Sequence, residues 1–105
     1  MTISTDLQPT YDSLLKEMKK LNGISVEEKE AYIHVRSKGV FLGIHPRKDY
    51  LILQIVSAAP IKSARVVKTD QVSKTRFHNH VRLSDPKQVD SELLGWLKES
   101  HKLMS

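Results

Sequence analysis

Two β-rich runs divided by a five-residue polar break constrain this chain more than any other feature. Val40–Ile44 and Tyr50–Val56 flank His45-Pro46-Arg47-Lys48-Asp49. Both runs are crowded with β-branched, aromatic and aliphatic side chains, which suit a pleated surface better than a helix. The break is short, charged and contains a proline, so the two runs read as a β-hairpin. Tyr50-Leu51-Ile52-Leu53-Gln54-Ile55-Val56 is apolar at odd and even positions alike, which predicts a central strand covered on two sides.

The elements around this hairpin follow from periodicity. Tyr11, Leu14, Leu15, Met18 and Leu21 recur at helical spacing, with Lys16, Glu17, Lys19 and Lys20 on the other face. Thr10 is the expected N-cap, and Asn22-Gly23 the expected stop. Ala31–Arg36 alternates, with Ala31, Ile33 and Val35 on one side and Tyr32, His34 and Arg36 on the other. Ser37-Lys38-Gly39 reads as a tight turn into the hairpin. Ala58-Ala59-Pro60 ends the strand pattern, Ala64–Thr69 is a further strand, and Arg76–Leu83 another. In the last, Phe77, Val81 and Leu83 share a face, interrupted by Asn79, and Arg76, His78, His80 and Arg82 occupy the reverse.

The C-terminal element carries its own start signal. Asp85-Pro86-Lys87-Gln88 offers an acceptor at N-cap, proline at the first helical position and glutamine at the third. Val89, Leu93, Trp96, Leu97 and Met104 then form an apolar stripe, which places Trp96 in the core. Asp90 and Glu92 near the positive end, and Lys98, His101 and Lys102 near the negative end, suit the helix dipole. The predicted fold is α+β: an N-terminal helix, about five strands in a mainly antiparallel meander, and a C-terminal helix, with both helices on one sheet face.

The length bounds the organisation. The chain has 105 residues, enough to bury a core without metal or disulfide support. It reads as a loose N-terminus over 1–9 and a single domain over 10–105. With no cysteine, disulfides, cysteine–zinc sites and thiol catalysis are excluded. The start MTISTDLQPT has neither the basic head nor the apolar core of a signal peptide. No apolar run approaches a membrane span. A cytoplasmic protein is expected.

Residues 34–82 hold ten Lys or Arg against two acids, Asp49 and Asp70, within a chain of formal charge +5. A basic middle of this kind attracts polyanions. Phosphate-loop, Rossmann and nucleophile-elbow patterns are missing. The pairs Glu27-Glu28 and Asp90/Glu92 read as a solvated loop and a helix start. His78 and His80 lie about 6–7 Å apart on one strand face. With His34 and His45 they form the strongest chemical signal, but Arg76 and Arg82 on the same face oppose a bound cation.

From Phe77 to Leu97 the text also resembles a known family. FHNHVRL, then Ser84-Asp85-Pro86, then Val89-Asp90-Ser91-Glu92-Leu93-Leu94-Gly95-Trp96-Leu97 is similar to a family of small, uncharacterised bacterial domains, a domain-of-unknown-function family. Its members occur alone or at the C-terminal end of longer chains, and some are labelled predicted transport proteins. The hairpin Phe41–Leu53 and the helix from Tyr11 extend the likeness over nearly the whole chain. Asn79 and Ser91 depart from the family pattern. The resemblance implies the α+β fold and carries no activity.

The face opposite the helices is then expected to hold Tyr32, His34, Arg36, Phe41, Gly43, His45, Tyr50, Ile52, Gln54, Arg76, His78, His80 and Arg82, with no acid among them. Open sheet faces that mix aromatic and cationic side chains stack bases and contact phosphates. The residues expected to bind are Arg36, Phe41, His45, Arg47, Lys48, Tyr50, Arg76, His78, His80 and Arg82. The sequence therefore predicts a small non-enzymatic module contacting nucleic acid or another polyanion. A protein-interaction or homodimerisation domain using the same face is the alternative, and a small metal-dependent enzyme a second. No catalytic residue, metal-ligand set, cofactor or membrane partner is expected.

Overall fold

A computed structural model describes residues 3–104. A 3-10 turn, Thr5–Leu7, leads into helix α1, Gln8–Met18. Six strands follow: β1 Ser25–Glu28, β2 Ile33–Arg36, β3 Val40–Pro46, β4 Leu51–Ser57, β5 Val66–Ser73 and β6 Arg76–Leu83. A 3-10 turn at Pro86–Gln88 precedes helix α2, Ser91–Leu103. The strands form one sheet in the order β1-β2-β3-β4-β6-β5, and every neighbouring pair is antiparallel. No helix among the described residues is long and apolar enough to cross a membrane.

The α+β plan read from the sequence stands, with one strand more than expected. The extra strand, β1, comes from Ser25-Val26-Glu27-Glu28, where the glutamates suggest a loop. Val26 faces inward opposite Val35, while Glu27 lies opposite His34 on the outer face. Strand order also departs from a simple meander, because β6 sits between β4 and β5. The polarity of the strands explains the exchange. Six of the eight β5 residues are exposed, as suits an edge, whereas Val81 and Leu83 of β6 are fully buried.

Both helices cover one face. Leu7, Tyr11, Leu14 and Met18 from the N-terminal segment and Leu93 and Leu97 from α2 join Ile33, Val35, Phe41, Leu42, Ile44, Leu51, Leu53, Ile55, Val81 and Leu83 in a single core. Burying each such aliphatic side chain contributes about 1.5–3 kcal/mol. Strand β4 is central, but it is not covered on two sides: Leu51, Leu53 and Ile55 are buried under the helices while Ile52 and Gln54 stay half-buried on the other face. Ser100 Oγ of α2 donates to the Phe41 carbonyl at 2.9 Å, fixing the helix on β3.

The caps fall differently from their sequence signals. Helical structure begins at Thr5, ahead of Thr10, and Leu7 is already buried. Thr10 lies inside α1, buried, with no partner for its hydroxyl. Gly23, at φ +66°, takes the left-handed conformation expected after Asn22. Asp85 and Gln88 do form a capping box, but on the short turn Pro86–Gln88. The cap of α2 itself is Asp90, whose carboxylate accepts from Leu93 N at 3.0 Å. That bond, followed by the Arg65 guanidinium, holds the Asp90 carboxyl below its usual range.

Asn79, which breaks the apolar face of β6, is fully buried and fully bonded. Its Nδ2 donates to the Ile55 carbonyl at 3.0 Å and to Ser57 Oγ at 2.8 Å. Its Oδ1 accepts from Ile61 N at 3.0 Å and from Thr69 Oγ1 at 3.2 Å. One amide thus ties β4, β5, β6 and the crossing loop together.

Two buried polar positions should therefore respond with opposite signs. Asn79→Leu strands a backbone amide and a hydroxyl and should lower stability by about 2–3 kcal/mol, whereas Thr10→Val removes an unsatisfied hydroxyl and should be neutral or stabilising. Urea denaturation of both variants checks this. Asp90, with its folded-state pKa depressed, contributes stability that is present above the unfolded value and lost as pH falls through the lower folded-state value. Asp90→Asn keeps a capping acceptor without the charge, so its melting temperature should vary less across pH 3–5 than that of the parent.

Candidate nucleic-acid interface

The uncovered face of the sheet is organised in cross-strand rows. In the central row, Glu27 of β1 lies opposite His34 of β2, then Gly43 of β3, Gln54 of β4, His80 of β6 and Lys68 of β5. On one side of it run His45, Ile52 and Arg82. On the other, Arg36 faces Val40, and Val56 faces His78, which faces Asp70. Strand alternation puts these side chains together because their neighbours, such as Ile44, Leu53 and Val81, face the helices.

Rings cluster near one end. The Tyr32 ring lies 4.6 Å from that of His34 and 5.8 Å from that of His45. The Arg82 guanidinium sits 4.7 Å from the centroid of the Tyr50 ring, a cation–π contact. Arg47 and Lys48 belong to the β3–β4 turn next to Tyr50, and this turn closes through Arg47 N and the Tyr50 carbonyl at 2.8 Å. Gly43 forms the floor of a groove of about 230 Å³ walled by His34, Val40, Gln54, Val56 and His78.

Most of the residues expected to bind do lie on this face. Arg36, His45, Tyr50, His78, His80 and Arg82 share it, with Arg47 and Lys48 at its rim. Arg76 is at the far end of β6 from Arg82, on the order of 20 Å along the strand, where its guanidinium bonds the Thr75 carbonyl at 2.8 Å.

Phe41 is a correction. It lies on the helix-covered face, fully buried, with its ring edge-on to His101 at 5.3 Å. The cause is a bulge: Val35 pairs with Leu42 but Arg36 pairs with Val40, so Phe41 is an extra residue and the alternation slips there. Val40 takes the outward position instead.

The face is also not free of acids. Glu27 accepts from Arg36 at 3.4 Å, and Asp70 contacts His80 at 3.1 Å and Lys68 at 3.7 Å. Glu27 was hidden by the missed strand, and Asp70 by a strand boundary drawn at Thr69. Arg82, Arg47 and Lys48 form no ion pair with a described acid.

Burial holds the imidazoles of His45 and His78 below the usual value of 6.5. For His45 a bond to Gln54 partly opposes this, and for His78 the charge of Asp70 does. The histidines do not converge on a metal site: among the described residues no three His, Asp or Glu side chains are placed to hold an ion.

Trp96 also departs from expectation. It is half-buried, lies beneath Arg65 with 5.7 Å between guanidinium carbon and ring centroid, and borders a cavity of about 580 Å³ with Val56, Ile61 and Leu103. Arg65 is held by Asp90 at 2.9 Å and Glu92 at 3.2 Å. Trp96 packs against the margin of the core, toward the loop that carries Ile61 and Arg65.

Comparison with known proteins returns no matching curated protein and no matching solved structure. A family match spans residues 2–104, and by it the chain belongs to the family described as Domain of unknown function (DUF5655).

Proposed function

We propose that the uncovered sheet face binds single-stranded nucleic acid without catalysing a reaction on it. The observation that carries this reading is the Tyr50–Arg82 pair at 4.7 Å, beside Arg47 and Lys48 and continuous with the Tyr32–His34–His45 rings. An aromatic face next to cations that lack acidic partners offers stacking for bases and attraction for phosphates in one place. The formal charge of +5 favours the encounter. A basic, cysteine-free module of this kind suits the bacterial cytoplasm.

A second copy of the chain on the same face is the other reading. Ile52, half-buried on that face between His45 and Arg82, favours it. Light scattering over a concentration series separates the two, since a dimer that occludes the face would make strand binding fall as protein association rises.

Fluorescence anisotropy with a labelled single-stranded 12-mer tests the first reading. Arg82→Ala, Arg47→Ala and Lys48→Ala should each reduce the slope of log affinity against log salt by about 0.7. Tyr50→Ala should weaken binding by about 1–3 kcal/mol. No binding at about 100 μM protein in about 50 mM salt overturns the proposal, because even non-specific contacts register there.

The pH response has two opposite parts. With their folded-state pKa values depressed, His45 and His78 contribute stability that is complete above about pH 6.5 and is lost as pH falls through the lowered values. Each proton they gain nevertheless adds a cation facing the strand. Between pH 7 and 5 the melting temperature of the free protein should fall while its affinity for the 12-mer rises; parallel melts and titrations check both trends.

A further inference from the structure

We infer that the groove over Gly43 is a slot for one planar nitrogenous ring, a nucleobase of the bound strand, with the Gln54 amide reading its edge. This rests on the nucleic-acid reading and adds to it the place where a base enters. Glycine in a strand interior weakens the strand, and often marks a close approach to something else. Backbone conformation does not call for it here, since Gly23 is the only described glycine at positive φ. Space does: a Cβ at Gly43 would stand 3.3 Å from Gln54 Oε1 and 3.4 Å from His45 Nε2, and would fill the floor of the groove.

The walls have the chemistry of a ring site. His34 and His78 present imidazoles and Val40 and Val56 present methyl groups, all suited to the faces and rim of a flat heterocycle. Gln54 shares a side-chain hydrogen bond with His45. Its amide can both donate and accept, and its remaining capacity meets the edge of the ring. His80, next in the row, is engaged by Asp70 at 3.1 Å. Arg36 and Arg82 lie in the flanking rows, where they meet phosphates on either side of a seated base.

The test compares an ordinary single-stranded 12-mer with the same backbone made entirely abasic, by anisotropy at low salt. The slot predicts that the abasic strand binds more weakly by about fivefold to hundredfold. Gly43→Val, which fills the slot, should bring the ordinary strand down to the abasic affinity and leave abasic binding unchanged. Should Gly43→Val fail to fold, Gly43→Ala and Gln54→Leu take its place, each expected to shrink the difference. Equal affinity of the two strands for the parent protein overturns the slot and leaves the polyanion reading standing. A difference that survives in all these variants also overturns it, placing the bases elsewhere on the face. If neither strand binds the parent, both readings fall.

Discussion

One-sided cover is the constraint on which this architecture depends. Two helices of 11 and 13 residues can blanket only one face of a six-stranded sheet, so the apolar content of the strands must be sorted between faces. β2, β4 and β6 do this by alternation, sending Ile33, Val35, Leu51, Leu53, Ile55, Val81 and Leu83 to the helices. What remains lies on the other face, where imidazole, guanidinium and amide groups surround Ile52 and Val56. The uncovered face is in this sense the complement of the core.

A single amide joins the elements that the unusual strand order brings together. With β6 inserted between β4 and β5, the connection from Ser57 to Val66 passes over β6, and its backbone polar groups need partners there. Asn79 meets that need, taking Ile61 N on its oxygen while its nitrogen holds the Ile55 carbonyl. A buried polar group costs free energy unless every bond is made, and here four are made. The interruption that looks like a flaw in the pattern of β6 is the joint of the fold.

The sequence discloses what repeats and hides what occurs once. The hairpin, both helices and the outward set His45, His78, His80 and Arg82 follow from periodicity and are where it puts them. Phe41 is misplaced because one inserted residue shifts alternation, and nothing in VFLGI announces a bulge. β1 is missed because Glu27 and Glu28 belong to a four-residue edge strand with a single inward apolar side chain, Val26. The groove at Gly43 depends on which residues lie across neighbouring strands, a relation no linear pattern carries. Trp96 sits on the right helix face, but how far the sheet extends beneath it is a tertiary fact.

The edges of the sheet have a consequence for solubility. β5 exposes Val67 and Val72, each 54% accessible, along the edge of the sheet, the usual invitation to strand addition and fibril growth. Its pairing with β6 slips at both Val66/Lys68 and Gln71/Ser73, so its outer hydrogen-bonding groups cannot keep a flat, regular spacing. Lys68 and Lys74 add like charge along the same border. At the opposite margin β1 ends the sheet after four residues, with Glu27 and Glu28 repelling a copy of itself. The molecule is thereby closed laterally, and crowded copies of it have no easy route to polymerise edge to edge.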